Sequence, residues 1–543
     1  MAVLRADARE RERDPELQAR LRARRENAIF LYIPFFIAVA LTFAVTPDDG
    51  FITLRYAANL VHGEGLAFNS GQHVQGFTSP LDLLVAVIAY LAPGGLAMLK
   101  MKFASVVFGF LAVREGGRLL FNLDIPVWAR RAGCLAVSTC AVIAFASGNG
   151  LETSLEMWLL IAVASRLVRG TEGCSSFVVG TFAFAAILAR PDAIAPLACM
   201  ALAGLVVERS IDVSRRAKWF VGAVIGVGLT AIGELILFDS ILPNTYYAKD
   251  MPLGRSISLG YTYLSGALQP IGPIGRQLNF VLILQCLFFA TGTVAVFFRF
   301  RRCGYLVAAV VGQVLFILKS GGDWMVGGRF LAPAAIPFIA IEVLGAIEFT
   351  SLLERAWGSR LGRSPVLVMS LLLVSTSIIP LVRVNAPISR INGLGDESLI
   401  KSGQYPLSND WALIPSLLQC LPRGTLVAST EIGYLGFARQ DLRLLDLRGL
   451  TDSAIARDAP SSMKQRWGVQ DTTWYLQSSP LGRAVLLDKP SVVVSVDPAP
   501  EDSIFGGHYR LVGEPRLNDS VWIYAPESSR GLCAARSPRS PSA

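Results

Sequence analysis

The segment Asp48-Asp49-Gly50-Phe51-Ile52-Thr53-Leu54-Arg55-Tyr56-Ala57 follows directly on the first long apolar run of the chain, at about residues 27–46. A run of about 20 apolar residues is long enough to cross the hydrocarbon core of a bilayer. Two adjacent carboxylates at the end of such a run are costly to keep beside lipid, which makes them candidates for function. The structural alternative is that either aspartate caps the helix expected from about residue 51 to 60.

The composition extends this membrane interpretation to the whole chain. Of its 543 residues, 52% are hydrophobic and only 17% are charged, which excludes an ordinary soluble globular protein. We predict a mainly α-helical, polytopic membrane bundle with about 11 spans. They lie at about 27–46, 95–113, 132–147, 153–168, 175–189, 193–208, 219–238, 277–298, 304–319, 329–349 and 365–383. The apolar stretch 81–93 is shorter than a bilayer requires, so we assign it to the membrane interface.

The basic residues predict the orientation of these spans, because Arg and Lys beside a span stay preferentially on the cytoplasmic side. The N-terminal segment and alternate loops carry 24 basic residues, whereas the opposite face carries 9 outside the long C-terminal segment. The protein is therefore predicted in the cytoplasmic (inner) membrane, with its amino terminus on the cytoplasmic side and its C-terminal segment on the periplasmic side. This distribution also explains the net charge of +9 without nucleic-acid binding.

Four segments follow from these assignments. They are a basic cytoplasmic segment 1–26, a transmembrane catalytic domain 27–383, a small exterior α/β domain 384–525 and a disordered tail 526–543. Strands are predicted in the exterior domain at 425–428, 491–496 and 521–524. Cys420 and Cys533 lie in this exterior part and are able to form a disulfide. The chain has no CxxC spacing and three histidines, so no zinc site is predicted.

Five polar clusters fall at the same ends of successive apolar spans, which predicts one site on the exterior face. They are Pro47-Asp48-Asp49, Ser147-Gly148-Asn149-Gly150-Leu151-Glu152, Arg190-Pro191-Asp192, Leu242-Pro243-Asn244-Thr245-Tyr246-Tyr247-Ala248-Lys249 and Gly321-Gly322-Asp323-Trp324-Met325-Val326-Gly327-Gly328-Arg329. Carboxylates facing cations suit transfer from a phosphate-linked sugar, because the phosphate leaves as an anion. One general base and cations on the phosphate are then sufficient.

The roles expected from these clusters divide into three groups. Asp48 or Asp49 is the candidate base. Donor or phosphate binding is assigned to Lys249, Arg329, Tyr246, Tyr247, Asn244 and Lys102. The pocket for the sugar is assigned to Arg55, Glu152, Asp192 and Asp323. No metal ligand is assigned, although an aspartate pair is able to hold Mg²⁺ or Mn²⁺ through water.

Each of these assignments has a structural alternative. The two tyrosines suit an interfacial aromatic belt, and Lys102 is able to snorkel toward the headgroups. Glu152 and Asp192 follow tight turns and suit helix caps, and Asp323 is able to pair with Arg329. In the exterior domain, Glu431-Ile432-Gly433-Tyr434 and Asp446-Leu447-Arg448-Gly449-Leu450-Thr451-Asp452 suit contacts to an acceptor sugar or ordinary turn chemistry.

The segments at 48–57, Gly65-Leu66-Ala67-Phe68-Asn69 and Gln75-Gly76-Phe77-Thr78-Ser79-Pro80 together resemble the first exterior loop of GT-C fold glycosyltransferases. The resemblance spans about residues 28–350 and is greatest to the terminal arabinofuranosyltransferases of actinobacterial cell walls, which use decaprenyl-phosphate-linked arabinose. It implies an inverting transferase whose base is an acid of the first exterior loop, with a preference for Asp48 as the leading acid of the pair. Gln75 departs from the family pattern, which commonly has an acid there, and Asn149 interrupts the usual Ser-Gly-Leu-Glu.

The resulting hypothesis is a membrane glycosyltransferase that moves a sugar, with arabinofuranose as one candidate, from a polyprenyl-phosphate donor to an exterior glycan, lipid or protein. We expect membrane lipid around the protein and no nucleic-acid partner. Two alternatives belong to other classes. A lipid-linked-sugar flippase or transporter requires polar residues along a route through the bilayer or repeat symmetry. A non-catalytic glycan-assembly protein would depend on the exterior domain.

Overall fold

The computed structural model describes residues 15–43, 45–170, 176–207, 218–268, 275–323, 325, 327–357, 364–375, 377, 414–415, 418–458, 490–495, 509–513 and 522–526. Residues 1–14 of the predicted basic segment, the predicted tail beyond Pro526 and Cys533 lie outside these ranges. The division of the chain into four segments stays a prediction.

Helices dominate the chain up to residue 375. The first part contains α1 (Pro15–Thr42), α2 (Asp49–Val61), α3 (Pro80–Leu91), α4 (Ala97–Asn122), α5 (Val127–Thr139), α6 (Ala141–Gly148), α7 (Thr153–Arg169), α8 (Ser176–Ala189) and α9 (Ile194–Val207). The second part contains α10 (Phe220–Phe238), α11 (Asn244–Lys249), α12 (Leu253–Leu268), α13 (Gly275–Phe298), α14 (Gly304–Ser320), α15 (Ala332–Trp357) and α16 (Ser364–Ser375).

Several of these helices have the length and composition of membrane spans. Within the described residues, Phe220–Phe238, Arg301–Ser320 and Arg329–Ala356 are each long and apolar enough to cross a membrane, and α5 with α6, bent by 45°, is a further candidate. Each of the 11 predicted spans overlaps a described helix, but several of those helices are short. The apolar helices support membrane association, and the number of spans stays a prediction.

The short helix α3 has the pattern expected of an interfacial segment. Ser79 caps its N-terminus by accepting a hydrogen bond from the Asp82 N–H, and Pro80 occupies the first turn, where no amide donor is needed. Leu84, Ile88 and Leu91 are exposed at a spacing that places them on one face. The helix is 12 residues long, which is too short to span a bilayer.

Small residues allow the bundle helices to approach closely. A Cβ on Gly292 of α13 would overlap the carbonyl oxygen of Ile341 on α15, and a Cβ on Gly345 would overlap the carbonyl oxygen of Phe288. Backbone contacts of this kind are typical of helix pairs in membranes, where packing contributes much of the stability.

The C-terminal part contains a five-stranded mixed sheet. Its strands are β1 (Leu426–Ser429), β2 (Arg443–Asp446), β3 (Val492–Ser495), β4 (Tyr509–Gly513) and β5 (Trp522–Pro526), with the short helices α17 (Gly433–Ala438) and α18 (Ser453–Asp458). The order is β2-β1-β3-β5-β4; β1 is parallel to both neighbours, and β5 is antiparallel to β3 and β4. Three of the strands overlap the runs predicted from sequence, whereas β2 and β4 were not predicted.

Buried polar side chains join this sheet to the helical part. Arg55 of α2 is 2% exposed, and its guanidinium donates to the carbonyl oxygens of Phe68, Gly436 and Leu442 at 2.7–2.8 Å. Asn69 accepts from the Leu444 N–H at 3.0 Å and donates to the Leu444 carbonyl at 2.8 Å. The sheet is therefore fixed against the loop that follows α2.

Candidate functional site

A glycine-rich turn brings Asp323 and Arg329 together at the end of α14. Gly321, Gly322, Gly327 and Gly328 have φ values of 80°, 85°, 88° and 68°, a region that side chains rarely adopt. The turn brings Arg329 Nε to 2.8 Å from Asp323 Oδ2, and both side chains are buried. The pairing with Arg329, which was the structural alternative to a sugar-binding role for Asp323, is therefore present.

Asp49 faces the same arginine. Arg329 Nη1 lies 3.7 Å from Asp49 Oδ2, and the Asp49 side chain is 20% exposed. Burial raises the pKa of Asp49, while Arg329 and Lys249 oppose this rise; Asp323 and Glu152 add to it. Asp49 is thus a partly buried carboxylate that lies among charged side chains and contacts Arg329 at ion-pair distance.

A second cation, Lys249, belongs to this charge cluster. It ends the short helix α11, which begins after Pro243. Burial lowers the pKa of Lys249, and the carboxylates of Asp323 and Asp49 oppose that effect. Lys249 and Arg329 therefore supply positive charge to one place, and their role in binding a donor phosphate stays a prediction.

Arg190 organises the carboxylates on the other side of the cluster. Its guanidinium lies 2.7 Å from Glu152, 2.8 Å from Asp192 and 3.4 Å from Glu156. The Glu152 side chain makes no helix-capping hydrogen bond, although the residue occupies the cap position of α7. A turn places it there: Asn149 Oδ1 accepts from the Leu151 N–H, and Gly150 has a φ of 81°. Glu152 and Asp192 are thus brought together by Arg190.

Asp48 has different surroundings from its neighbour Asp49. Its two carboxylate oxygens accept hydrogen bonds from the backbone N–H groups of Gly433 and Tyr434, both at 2.7 Å. These donors belong to the first turn of α17, where free amides favour a negative charge. Asp48 therefore caps a helix of the C-terminal part instead of the helix that it precedes.

The remaining predicted residues contact protein groups. Asn244 donates to the carbonyl oxygens of Gly449 and Leu450 at 2.8 and 3.0 Å, which ties α11 to the loop after β2. Tyr246 is 44% exposed, and the ring of Tyr247 lies 4.7 Å from the Arg457 guanidinium. Lys102 donates to the Phe43 carbonyl oxygen at 2.5 Å. Like Arg55 in the junction described above, Asn244, Tyr247 and Lys102 thus contact protein groups, and the predicted ligand-binding roles of these residues stay predictions.

Sequence reasoning did not select three buried acids near the cluster. Glu156 is 1% exposed and lies one helical turn after Glu152, a spacing that was a usable signal in an otherwise apolar helix. Asp82 of α3 is 5% exposed, and burial together with the nearby Glu152 raises its pKa. Glu431, which was noted without being selected, is 7% exposed and forms an ion pair with Arg448 at 2.9 Å.

The geometry gives no support to a dedicated metal centre. Among the residues that the structure describes, no group of three or more His, Cys, Asp or Glu side chains is arranged to hold a metal ion. The carboxylates of Asp49, Asp323 and Glu152 face arginines, which already neutralise them.

Part of the chain is similar in sequence to known proteins. A family model described as "Domain of unknown function (DUF8728)" matches residues 398–530, less than half of the chain. The curated "Terminal beta-(1->2)-arabinofuranosyltransferase" of Mycobacterium tuberculosis is 24% identical over 390 residues, which cover 65% of this chain and 59% of that relative. The chain thus aligns with less than two thirds of the relative's length.

Solved structures are similar over a larger part of the chain. The apo structure of ArnT from Cupriavidus metallidurans has a TM-score of 0.53 at 13% identity, covering 92% of this chain and 96% of ArnT. ArnT bound to undecaprenyl phosphate gives 0.52 at 12% identity, with 92% and 97% coverage. The archaeal oligosaccharyltransferase AglB from Archaeoglobus fulgidus, in complex with an inhibitory peptide and a dolichol-phosphate, gives 0.50 at 12% identity, with 86% and 69% coverage. These neighbours are GT-C glycosyltransferases, and the chain accordingly has the GT-C fold.

Proposed function

We propose that this protein transfers a sugar from a polyprenyl-phosphate donor to a hydroxyl group of an exterior glycan, lipid or protein, with inversion at the anomeric carbon and with Asp49 as the general base. The observation that carries the proposal is the meeting of Asp49 with Lys249 and Arg329 in one cluster at the ends of the helices. The sugar that we favour is arabinofuranose, on the basis of the curated relative's name.

The cluster supplies the two functions that the reaction needs. A phosphate leaving group departs as an anion, so it needs positive charge more than it needs a proton. Arg329 suits bidentate contact with phosphate oxygens, and Lys249 suits a point-charge contact. The acceptor hydroxyl must lose its proton as it attacks, and a carboxylate positioned within hydrogen-bond reach accelerates such a transfer by roughly 10²- to 10⁴-fold.

Asp49 suits the role of base better than Asp48 does. Both oxygens of Asp48 already accept backbone hydrogen bonds from the first turn of α17, so protein donors occupy them. Burial raises the pKa of Asp49, which strengthens it as a proton acceptor. The distance of 3.7 Å to Arg329 is that of an attraction without a close hydrogen bond.

The phosphate of the donor would compete with Asp49 for Arg329. An anionic phosphate that binds Arg329 and Lys249 neutralises part of the positive charge that stabilises the ionised form of Asp49. The affinity of Asp49 for a proton therefore rises further. Donor binding therefore prepares the base for the acceptor. The Arg190 guanidinium would contribute indirectly, because it neutralises Glu152, Glu156 and Asp192, which would otherwise repel the phosphate.

Replacing each aspartate separately tests the proposal. We expect Asp49→Asn to reduce transfer from a synthetic polyprenyl-phosphoryl arabinofuranose by roughly 10²- to 10⁴-fold. Asp48→Asn keeps an acceptor oxygen for α17, so we expect measurable turnover and reduced thermal stability. The matched control is Asp250→Asn, at an aspartate that is 49% exposed and 4.0 Å from Lys319, and it should leave turnover unchanged. Full activity of Asp49→Asn would exclude Asp49 as the base.

A further inference from the structure

The carboxyl edge of the C-terminal sheet faces the charge cluster of the helical part. β1 is parallel to β2 on one side and to β3 on the other, so the loop after β1 lies at a point where the chain connections diverge. In α/β sheets, ligands bind outside the carboxyl ends of the strands at such a point. Glu431 stands in this loop, two residues after Ser429 ends β1.

Hydrogen bonds within the sheet fix the backbone around Glu431. Ser429 Oγ accepts from the Glu431 N–H at 3.3 Å and donates to the Glu431 carbonyl oxygen at 2.5 Å. The Thr430 N–H donates to the Val494 carbonyl of β3 at 3.2 Å. The position of Glu431 is therefore built into the sheet and does not depend on a free loop.

The next residues of the same loop contact α2 and the aspartate that precedes it. Gly433 and Tyr434 donate to Asp48, and the Tyr434 ring packs edge-on against Phe51 with ring centroids 5.1 Å apart. A Cβ on Gly433 would overlap the Asp48 carbonyl oxygen, so this approach requires glycine. These contacts hold Glu431 beside the aspartate pair.

The loop after β2 supplies a cation to Glu431. Arg448 Nη1 lies 2.9 Å from Glu431 Oε1, and the side chain of Glu431 is 8% exposed. Asp446 fixes this loop by accepting hydrogen bonds from the N–H groups of Arg448 and Thr451 at 2.9 and 2.8 Å. Two loops from adjacent strands thus place a carboxyl group and a guanidinium side by side.

Burial raises the pKa of Glu431 to about 8, with Asp48 and Asp49 adding to the rise and Arg448 opposing it. A carboxyl group that titrates near neutral pH is able both to donate and to accept a hydrogen bond. Together with a guanidinium, which only donates, it matches the paired donor and acceptor character of neighbouring sugar hydroxyls.

We propose that Glu431 and Arg448 bind the acceptor sugar and so determine which hydroxyl is presented to Asp49. The inference rests on the proposed transferase function. Inverting displacement requires the attacking hydroxyl and the leaving phosphate on opposite faces of the sugar ring. Lys249 and Arg329 take the phosphate side, whereas Glu431 and Arg448 approach Asp49 from the C-terminal sheet, on which an exterior acceptor can lie. They are positioning residues: no bond is made or broken on them.

The test measures acceptor and donor constants separately, using full-length protein, a synthetic polyprenyl-phosphoryl arabinofuranose and a synthetic octyl arabinofuranosyl oligosaccharide. We expect Glu431→Ala to raise the acceptor KM at least tenfold and the donor KM less than twofold. Glu431→Gln should recover part of the loss, because an amide also donates and accepts. Arg448→Lys, which keeps the charge without the planar fork, should raise the acceptor KM as well.

A matched ion pair in the same part of the chain controls for stability. Arg439 and Asp441 lie 2.8 Å apart, and Asp441→Asn should change neither constant. Calorimetric binding of the oligosaccharide without donor gives a second readout, in which Glu431→Ala should weaken the Kd at least tenfold. Unchanged acceptor KM and Kd in Glu431→Ala would overturn the inference, and so would equal losses for donor and acceptor.

The two proposals fail in different ways. If the wild-type protein binds the oligosaccharide through Glu431 but transfers no sugar to it, the transferase proposal fails and the acceptor site stands. If the wild-type protein transfers sugar and Glu431→Ala leaves the acceptor KM and Kd unchanged, the acceptor site fails and the transferase proposal stands. Absence of both transfer and binding in the wild-type protein would contradict both.

Discussion

At the scale of single residues, Asp48 and Asp49 are adjacent in sequence and differ in what surrounds them. The sequence is sufficient to select the doublet, because two carboxylates beside an apolar run are costly. It is not sufficient to separate them, since the groups that bind Asp48 come from Gly433 and Tyr434, 385 and 386 residues away. The preference for Asp48 therefore rests on the family resemblance, and the surroundings of the two residues are our reason for proposing Asp49.

The charge around Asp49 makes a prediction about pH. A base must be ionised to act, so the acidic limb of kcat/KM reports the pKa of Asp49 in the free protein. Lys249 lowers that pKa, and Lys249→Met should therefore move the acidic limb to higher pH. Lys319→Met removes a lysine that is 55% exposed and should leave the limb in place. An unmoved limb in Lys249→Met, measured over the full pH profile, would show that Asp49 is not the titrating base.

At the scale of elements, the sequence predicts the helices and three of the five strands, and it does not predict their contacts. Apolar runs located the helices because each must cover its surface with lipid or protein. The strands β2 and β4 escaped prediction: Arg443 and Asp446 interrupt the apolar character of β2, and Asp446 is buried only because Arg448 and Thr451 satisfy its oxygens. Pairing between distant segments, not local propensity, decides such strands.

The contact between α2 and α17 predicts a stability effect. Gly433→Ala would place a Cβ against the Asp48 carbonyl group, so α17 must move away from α2. We expect a loss of about 1–3 kcal/mol in the free energy of unfolding, as for other overpacked sites. The melting temperature of the purified protein measures it. Gly228→Ala, in a helix with open space around the glycine, is the control; equal melting temperatures for the two variants would contradict the expected overlap.

At the scale of the whole molecule, the basic residues predict a topology in which the charge cluster and the C-terminal sheet are exterior. Cys420 is disulfide-bonded, which accords with an oxidising compartment, and Cys533, the candidate partner named from the sequence, lies outside the described residues. Glu342, 1% exposed within α15, is a buried acid that was not predicted from the sequence. Because the transporter alternative requires polar residues along a route through the bilayer, measured activity must decide between it and the transferase.

Cysteine labelling in intact cells tests this topology. In a variant that keeps Cys420 and Cys533 and has serine at the other native cysteines, a membrane-impermeant maleimide should label Glu64→Cys, which lies in the loop after α2. It should label Arg355→Cys, at the opposite end of the bundle, only after the cells are permeabilised. Both positions are exposed, so access decides the result. Labelling of Arg355→Cys alone in intact cells would invert the orientation and remove the basis for an exterior site.

The bidentate bonding of Asn69 to Leu444 has a consequence for dissecting the protein. β2 is an edge strand of the sheet, and the Asn69 amide bonds both the N–H and the carbonyl oxygen of Leu444 on that edge. Expressed by itself, the C-terminal part would present those backbone groups to any other chain, and unpaired strand borders promote self-association. Recombinant fragments that contain only the C-terminal part are therefore expected to aggregate. A fragment that keeps the segment around Asn69, so that the backbone groups of β2 stay bonded, should remain monomeric.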